Sequence, residues 1–72
     1  MDIKAVVGRN VKRARAAAGV SQDELADQAG VHVTYLSGIE NGRRNITVEV
    51  LARLAHALAT TESTLLDRSS RD

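Results

Sequence analysis

Seventy-two residues without a cysteine, a proline, a tryptophan or a phenylalanine leave Tyr35 as the single aromatic side chain. The missing cysteine removes disulfide staples, thiolate zinc sites and a cysteine nucleophile together, and it fits a reducing cytoplasm. Packing alone must then hold a chain near the lower size at which one apolar core suffices. No apolar run approaches the roughly 20 residues that span a bilayer, and the N-terminal MDIKAVVGRNVKR lacks the apolar centre of a signal peptide, so a soluble, cytoplasmic protein with no membrane contact is expected. Charge is nearly balanced as well. Ten Lys and Arg against nine Asp and Glu give a net +1, too little to argue for a nucleic-acid partner from the total.

The distribution of that charge is more informative. Residues 1–20 carry Lys4, Arg9, Lys12, Arg13 and Arg15 against Asp2 alone, whereas residues 21–30 carry Asp23, Glu24 and Asp27 with no base. Arg43 and Arg44 make a second basic point, read either as a phosphate-reaching pair or as a solvated loop.

Hydrophobic spacing is helical throughout, with no alternating strand pattern. Ile3, Val6, Val7, Val11, Ala14 and Ala18 give a first helix its apolar stripe, with Gly19 as its stop. Gly8 inside that helix costs about 1 kcal/mol relative to alanine, and either allows close packing or has no packing role. Ser21 with Glu24 three residues on forms a capping box for a second helix that turns Leu25, Ala26 and Ala29 inward. Gly30 ends it, because a residue without Cβ takes the left-handed conformation that a sharp reversal needs. In a third helix Leu36 and Ile39 face inward. Thr47 caps a fourth with a predicted buried face of Val48, Leu51, Leu54, Ala55 and Leu58, and a last short helix starting near Thr61 presents Leu65 and Leu66. The expected fold is all-α, a compact bundle of four to five short helices over residues 1–67, with a frayed polar tail at 68–72.

The stretch SQDELADQAGVHVTYLSGIENG thus reads as two helices across a glycine-centred turn, the layout of a helix-turn-helix. Val33, Thr34, Ser37 and Gly38 fall on the outward side of its second helix. So little charge is unusual for a solvated face, and it suits a helix in a DNA major groove, where methyls meet thymine and hydroxyls meet base edges. None of the four is arginine, asparagine or glutamine, the strongest bidentate readers, so DNA shape is expected to carry part of the specificity. Tyr35 stands between this face and the core, its hydroxyl free to reach a phosphate or base, or its ring simply half-buried.

Three motifs, VKRARAAAGVSQDELADQAGV, YLSGIENGRRN and VEVLARLAHAL followed by TLL, together resemble the Xre/Cro-like helix-turn-helix family of lambdoid repressors and restriction-modification controller proteins. The resemblance runs from about Val11 to Leu66. It implies a cytoplasmic homodimer on a two-fold symmetric operator in double-stranded DNA. It implies that Gln22 holds a phosphate through its side chain and backbone amide, the alternative being a surface residue in the first turn, and that Asn41 and Arg43 touch the DNA backbone. It also implies that Arg15 and Glu40 join the first helix to the recognition helix, the competing reading making Arg15 a phosphate contact. His32 occupies the position before the recognition helix, where it reaches DNA or caps.

His32 and His56 lack the cysteines or carboxylates a metal site needs, and no GxSxG, phosphate-cradling loop or nucleophile-base pair is present. No cofactor and no catalysis are expected. Ile46 and Val50, left over from the core faces, join Leu65 or Leu66 as the expected dimer patch. With no second domain in these 72 residues to take an inducer, control through the monomer-dimer equilibrium or by a separate protein partner is expected. An antitoxin using another surface for a toxin, or a helical module without DNA binding, are the competing functions.

Overall fold

The computed structural model describes residues 2–69, so the last three residues of the expected tail lie outside the described part. Five helices follow one another: α1 (Ile3–Ala18), α2 (Gln22–Ala29), α3 (Val33–Glu40), α4 (Val48–Ala57) and α5 (Glu62–Leu65). None of them is long and apolar enough to cross a membrane. Four helix starts have a side-chain cap: Asp2, Ser21, Thr47 and Thr61 each accept from the backbone N–H three residues on. Each such cap satisfies one of the donors that a helix N-terminus leaves without a partner and is worth about 1 kcal/mol.

α1 packs on α3, α2 packs on α3 and α4, and α5 bridges α1 and α4. Leu25, Leu36, Ile39, Leu54, Leu65, Val6 and Val11 are fully enclosed between them. The apolar stripe of α1 is narrower than its spacing predicts. Val6, Val7 and Val11 are buried, but Ile3 is 43% exposed and Ala18 is exposed, because both ends of this 16-residue helix outrun the helices beneath it.

Val48 corrects the expected buried face of α4. It is 82% exposed, while Leu51, Leu54, Ala55 and Leu58 are buried as expected. Val48 occupies the first position of α4, directly after the Thr47 cap, and that first turn overhangs the core.

Two features of α1 explain how tightly the bundle closes. A Cβ at Gly8 would press on the carbonyl oxygens of Ile39 and Glu40, the latter at 2.8 Å, so the glycine lets α1 cross the end of α3 backbone to side-chain-free backbone. Its close-packing role outweighs its helix-propensity cost. Two residues on, the buried Asn10 side chain donates through Nδ2 to the carbonyls of Leu65 at 2.9 Å and Asp67 at 3.0 Å. Those carbonyls lie at the C-terminal end of α5, where a helix has no internal donors left to offer.

Candidate nucleic-acid interface

Local chemistry fixes the relative placement of α2 and α3. The Ser21 hydroxyl accepts from the Glu24 backbone N–H at 3.1 Å and the Glu24 carboxylate accepts from the Ser21 N–H at 2.9 Å, so the expected capping box is complete. At the other end Gly30 takes φ +70°, and Val31 donates back to the Ala26 carbonyl at 3.0 Å. The chain reverses there and α3 starts three residues later. His32 is its N-terminal flanking residue but makes no side-chain capping bond, so the capping alternative for this residue does not hold.

Glu40 ties three helices together. Its carboxylate accepts from Arg15 Nε at 2.7 Å and Arg15 Nη2 at 3.1 Å, a two-pronged pair linking α3 to α1. Arg15 Nη1 also donates to the Val20 carbonyl at 3.1 Å. The same carboxylate accepts from Gln22 Nε2 at 2.9 Å, which brings in the first residue of α2. The Glu40 side chain is only 1% exposed, so these bonds are what make a charge tolerable at that depth. The hydrogen bond to Glu40 holds the Arg15 guanidinium above its ordinary pKa, against the smaller opposing cost of partial burial. Of the two readings of Arg15, the structure places it in the architectural pair.

Around this knot, Gln22, Val33, Thr34, Ser37, Gly38, Asn41, Arg43 and Arg44 line one surface concavity of about 410 Å³. Eight residues that the sequence assigned to DNA therefore share one face. One Nε2 hydrogen of Gln22 is held by Glu40, which leaves the other available on a residue that opens α2, where a helix has backbone N–H groups without internal partners. The hydroxyls of Thr34 and Ser37 make no hydrogen bond among the described residues. A Cβ on Gly38 would meet the Arg44 Cγ at 2.5 Å, so the missing side chain leaves room for the arginine stem to lie across the helix.

His32 and Tyr35 fall outside the lining of this concavity. Tyr35 packs its ring partly against the core, and its hydroxyl donates to the Asn45 carbonyl at 3.0 Å. The Arg44 guanidinium sits 5.9 Å from the centre of the same ring. Tyr35 thereby anchors the loop that carries Arg43 and Arg44, a role that neither sequence alternative contained.

Sequence reasoning also missed a second concavity of about 680 Å³ between α1 and the exit of α3, lined by Ala5, Arg9, Lys12, Arg13 and Ala16 on one side and Glu40, Asn41 and Gly42 on the other. The spacing of Arg9, Lys12 and Arg13 was the available signal, since residues three and four apart share a helix face.

The fold and this face have close counterparts among known proteins. The pattern of the helix-turn-helix family matches residues 11–65. This chain belongs to that helix-turn-helix family. Its Xre-like relatives include the control protein C.SmaI of Serratia marcescens, 41% identical over 68 residues that cover 94% of this chain and 81% of the relative. Among solved structures, the hypothetical transcription factor NHTF from Neisseria superposes with a TM-score of 0.88 at 38% identity, over 92% of this chain and 76% of that one. The restriction-modification controller protein C.AhdI from Aeromonas hydrophila superposes with a TM-score of 0.83 at 32% identity, over 86% of this chain and 94% of that one. As a member of this helix-turn-helix family the protein is a DNA-binding transcriptional regulator, and the concavity of α2 and α3 is its candidate DNA face.

Proposed function

We propose that the protein regulates transcription without catalysis, in the cytoplasm, as a homodimer on a two-fold symmetric operator in the manner of a restriction-modification controller. The observation that carries this reading is the gathering of Gln22, Thr34, Ser37, Asn41, Arg43 and Arg44 on one face, with the Thr34 and Ser37 hydroxyls left unbonded within the described residues. Val33, Thr34 and Ser37 meet base edges, whereas Gln22, Asn41, Arg43 and Arg44 hold phosphates on either side. Arg44 lies across Gly38 and stacks at the Tyr35 ring, so its charge is presented from an ordered stem.

Dimerisation is assigned to a separate apolar patch formed by the start of α1, the start of α4 and Leu66. Leu65 is fully enclosed and closes the core of the subunit, and Val50 packs partly against that core. Exposed apolar surface lies instead on Ile3, Val48 and Leu66, which with Ile46, Val7 and Leu51 border a concavity of about 240 Å³. A dimer through this patch presents two recognition helices to half-sites about one helical turn apart. Because the subunit already encloses its own core, assembly responds to protein concentration.

Selection of bound duplexes from a random DNA library at physiological salt tests the reading. A two-fold symmetric motif is the expected product; a bound pool with no sequence preference would overturn it. In sedimentation, Val48→Asp is expected to shift the protein toward monomer with its helical content unchanged.

A further inference from the structure

We propose that α1 is a second DNA-contacting element: Arg9 and Lys12 bind phosphates of the duplex that flanks the base-contacted half-site. The inference rests on the DNA-binding reading above and extends the contact surface past the helix-turn-helix.

Arg9 and Lys12 stand three residues apart on α1 and line the same concavity, whose far wall is Asn41 and Gly42 at the exit of α3. Asn41 also borders the recognition concavity, so the two grooves meet at that residue and form one continuous surface. A duplex seated on α3 and followed along its backbone past Asn41 runs toward α1.

Two of the charges on this surface, those of Arg9 and Lys12, are uncompensated among the described residues. Glu40 is the one acid among the lining residues, and its carboxylate is enclosed and already bound by Arg15 and Gln22. Neither Arg9 nor Lys12 forms an ion pair among the described residues. Phosphate oxygens supply counter-charges for the Arg9 guanidinium and the Lys12 ammonium, and the absence of a side chain at Gly42 with only methyls at Ala5 and Ala16 leaves the groove unobstructed.

A regular polyanion fits this pattern better than an isolated acidic peptide, because the basic wall continues the recognition face. Phosphate contacts of this kind position the protein and add affinity without reading sequence.

Fluorescence-anisotropy titrations would compare wild type, Arg9→Ala, Lys12→Ala and the double variant on two duplexes. One is the selected operator trimmed to its base-contacted span, and the other carries about ten further base pairs of unrelated sequence at each end, one helical turn. On the extended duplex each single substitution is expected to weaken binding about five- to tenfold near 0.1 M salt and to lower the slope of log affinity against log salt by about 0.9 per phosphate contact removed. On the trimmed duplex all four proteins should agree within about twofold, and the sequence chosen from a random library should not change. Arg9→Lys should recover most of the slope, which lost packing alone does not explain. Wild-type affinity and slope for the double variant on the extended duplex would overturn the proposal, and so would equal losses on both duplexes; an acidic protein surface would then be the better occupant. Failure of the wild type on every duplex would instead remove the DNA-binding reading itself.

Discussion

On its inward side α3 carries Leu36, Ile39 and Glu40, all buried, and the single charge among them is held by bonds from α1 and α2. On its outward side the same eight-residue helix carries Val33, Thr34, Ser37 and Gly38, whose side chains make no hydrogen bond among the described residues. One face is over-determined so that the other can be left unsatisfied. A recognition helix needs both properties, because groups that read base edges must not be spent internally, and the helix must still arrive at the groove in a fixed orientation. Glu40 links the two requirements by orienting Gln22 at the margin of the outward face.

Breaking the inward side should cost most. Glu40→Ala strands the Arg15 guanidinium and frees Gln22, and it is expected to lower the unfolding free energy by about 3 kcal/mol, read by urea denaturation. In so small a domain that is a large share of the total stability. Gly8→Ala tests the same interface through shape. The added methyl meets carbonyl oxygens of the backbone, which cannot swing aside, so a loss of about 1–2 kcal/mol is expected despite the better helix propensity of alanine. A gain in melting temperature would show that α1 and α3 are not in close contact there.

Substitutions on the outward side should separate from these. Thr34→Ala and Ser37→Ala are expected to leave stability within about 0.5 kcal/mol of wild type, while altering base preference at their positions by about 1 kcal/mol in competition binding. A drop in stability matching that of the inward variants would erase the division between the faces. A last, modest effect is expected far from both. Ala59 follows α4 at φ +56°, a conformation that costs an alanine about 1 kcal/mol, so Ala59→Gly should raise the melting temperature by a few degrees without touching DNA affinity.

Ala59 also marks where the fold was hidden in the sequence. The turns after α1, α2 and α3 are written as Gly19, Gly30 and Gly42, each at positive φ, and a reader finds them by residue type. The turn after α4 uses the same left-handed geometry on a residue that normally favours helix, because the Thr60 N–H donates back to the Ala55 carbonyl and holds it there. Helix starts were legible for a parallel reason, since Ser21 and Thr47 are chemically suited to cap. Val48 was misplaced because spacing gives a face but not whether a neighbouring helix reaches it. The same gap explains Ile3.

At the candidate site, the outward placement of Val33, Thr34, Ser37 and Gly38 was legible from helical spacing, whereas Gln22, Asn41, Arg43 and the Arg15–Glu40 pair were legible from family resemblance. The bond from Gln22 to Glu40 was not, because it joins residues 18 apart through the crossing of two helices. Nor was the hold of Tyr35 on Asn45, which depends on the path of a loop. Asn10 did leave a trace. It stands three and four residues after Val7 and Val6, in line with the apolar stripe, and a polar residue there is expected to have a buried partner.

That partner lies far along the chain, since Asn10 is joined to carbonyls 54 to 57 residues later. During synthesis α1 therefore leaves the ribosome long before the carbonyls that fasten its Asn10 amide exist. The amide that ends up buried waits in water until α5 is made, although α1 already has α3 to pack on. The tie from Asn10 thus spans the whole bundle, and it can form only after every helix between α1 and α5 has been made.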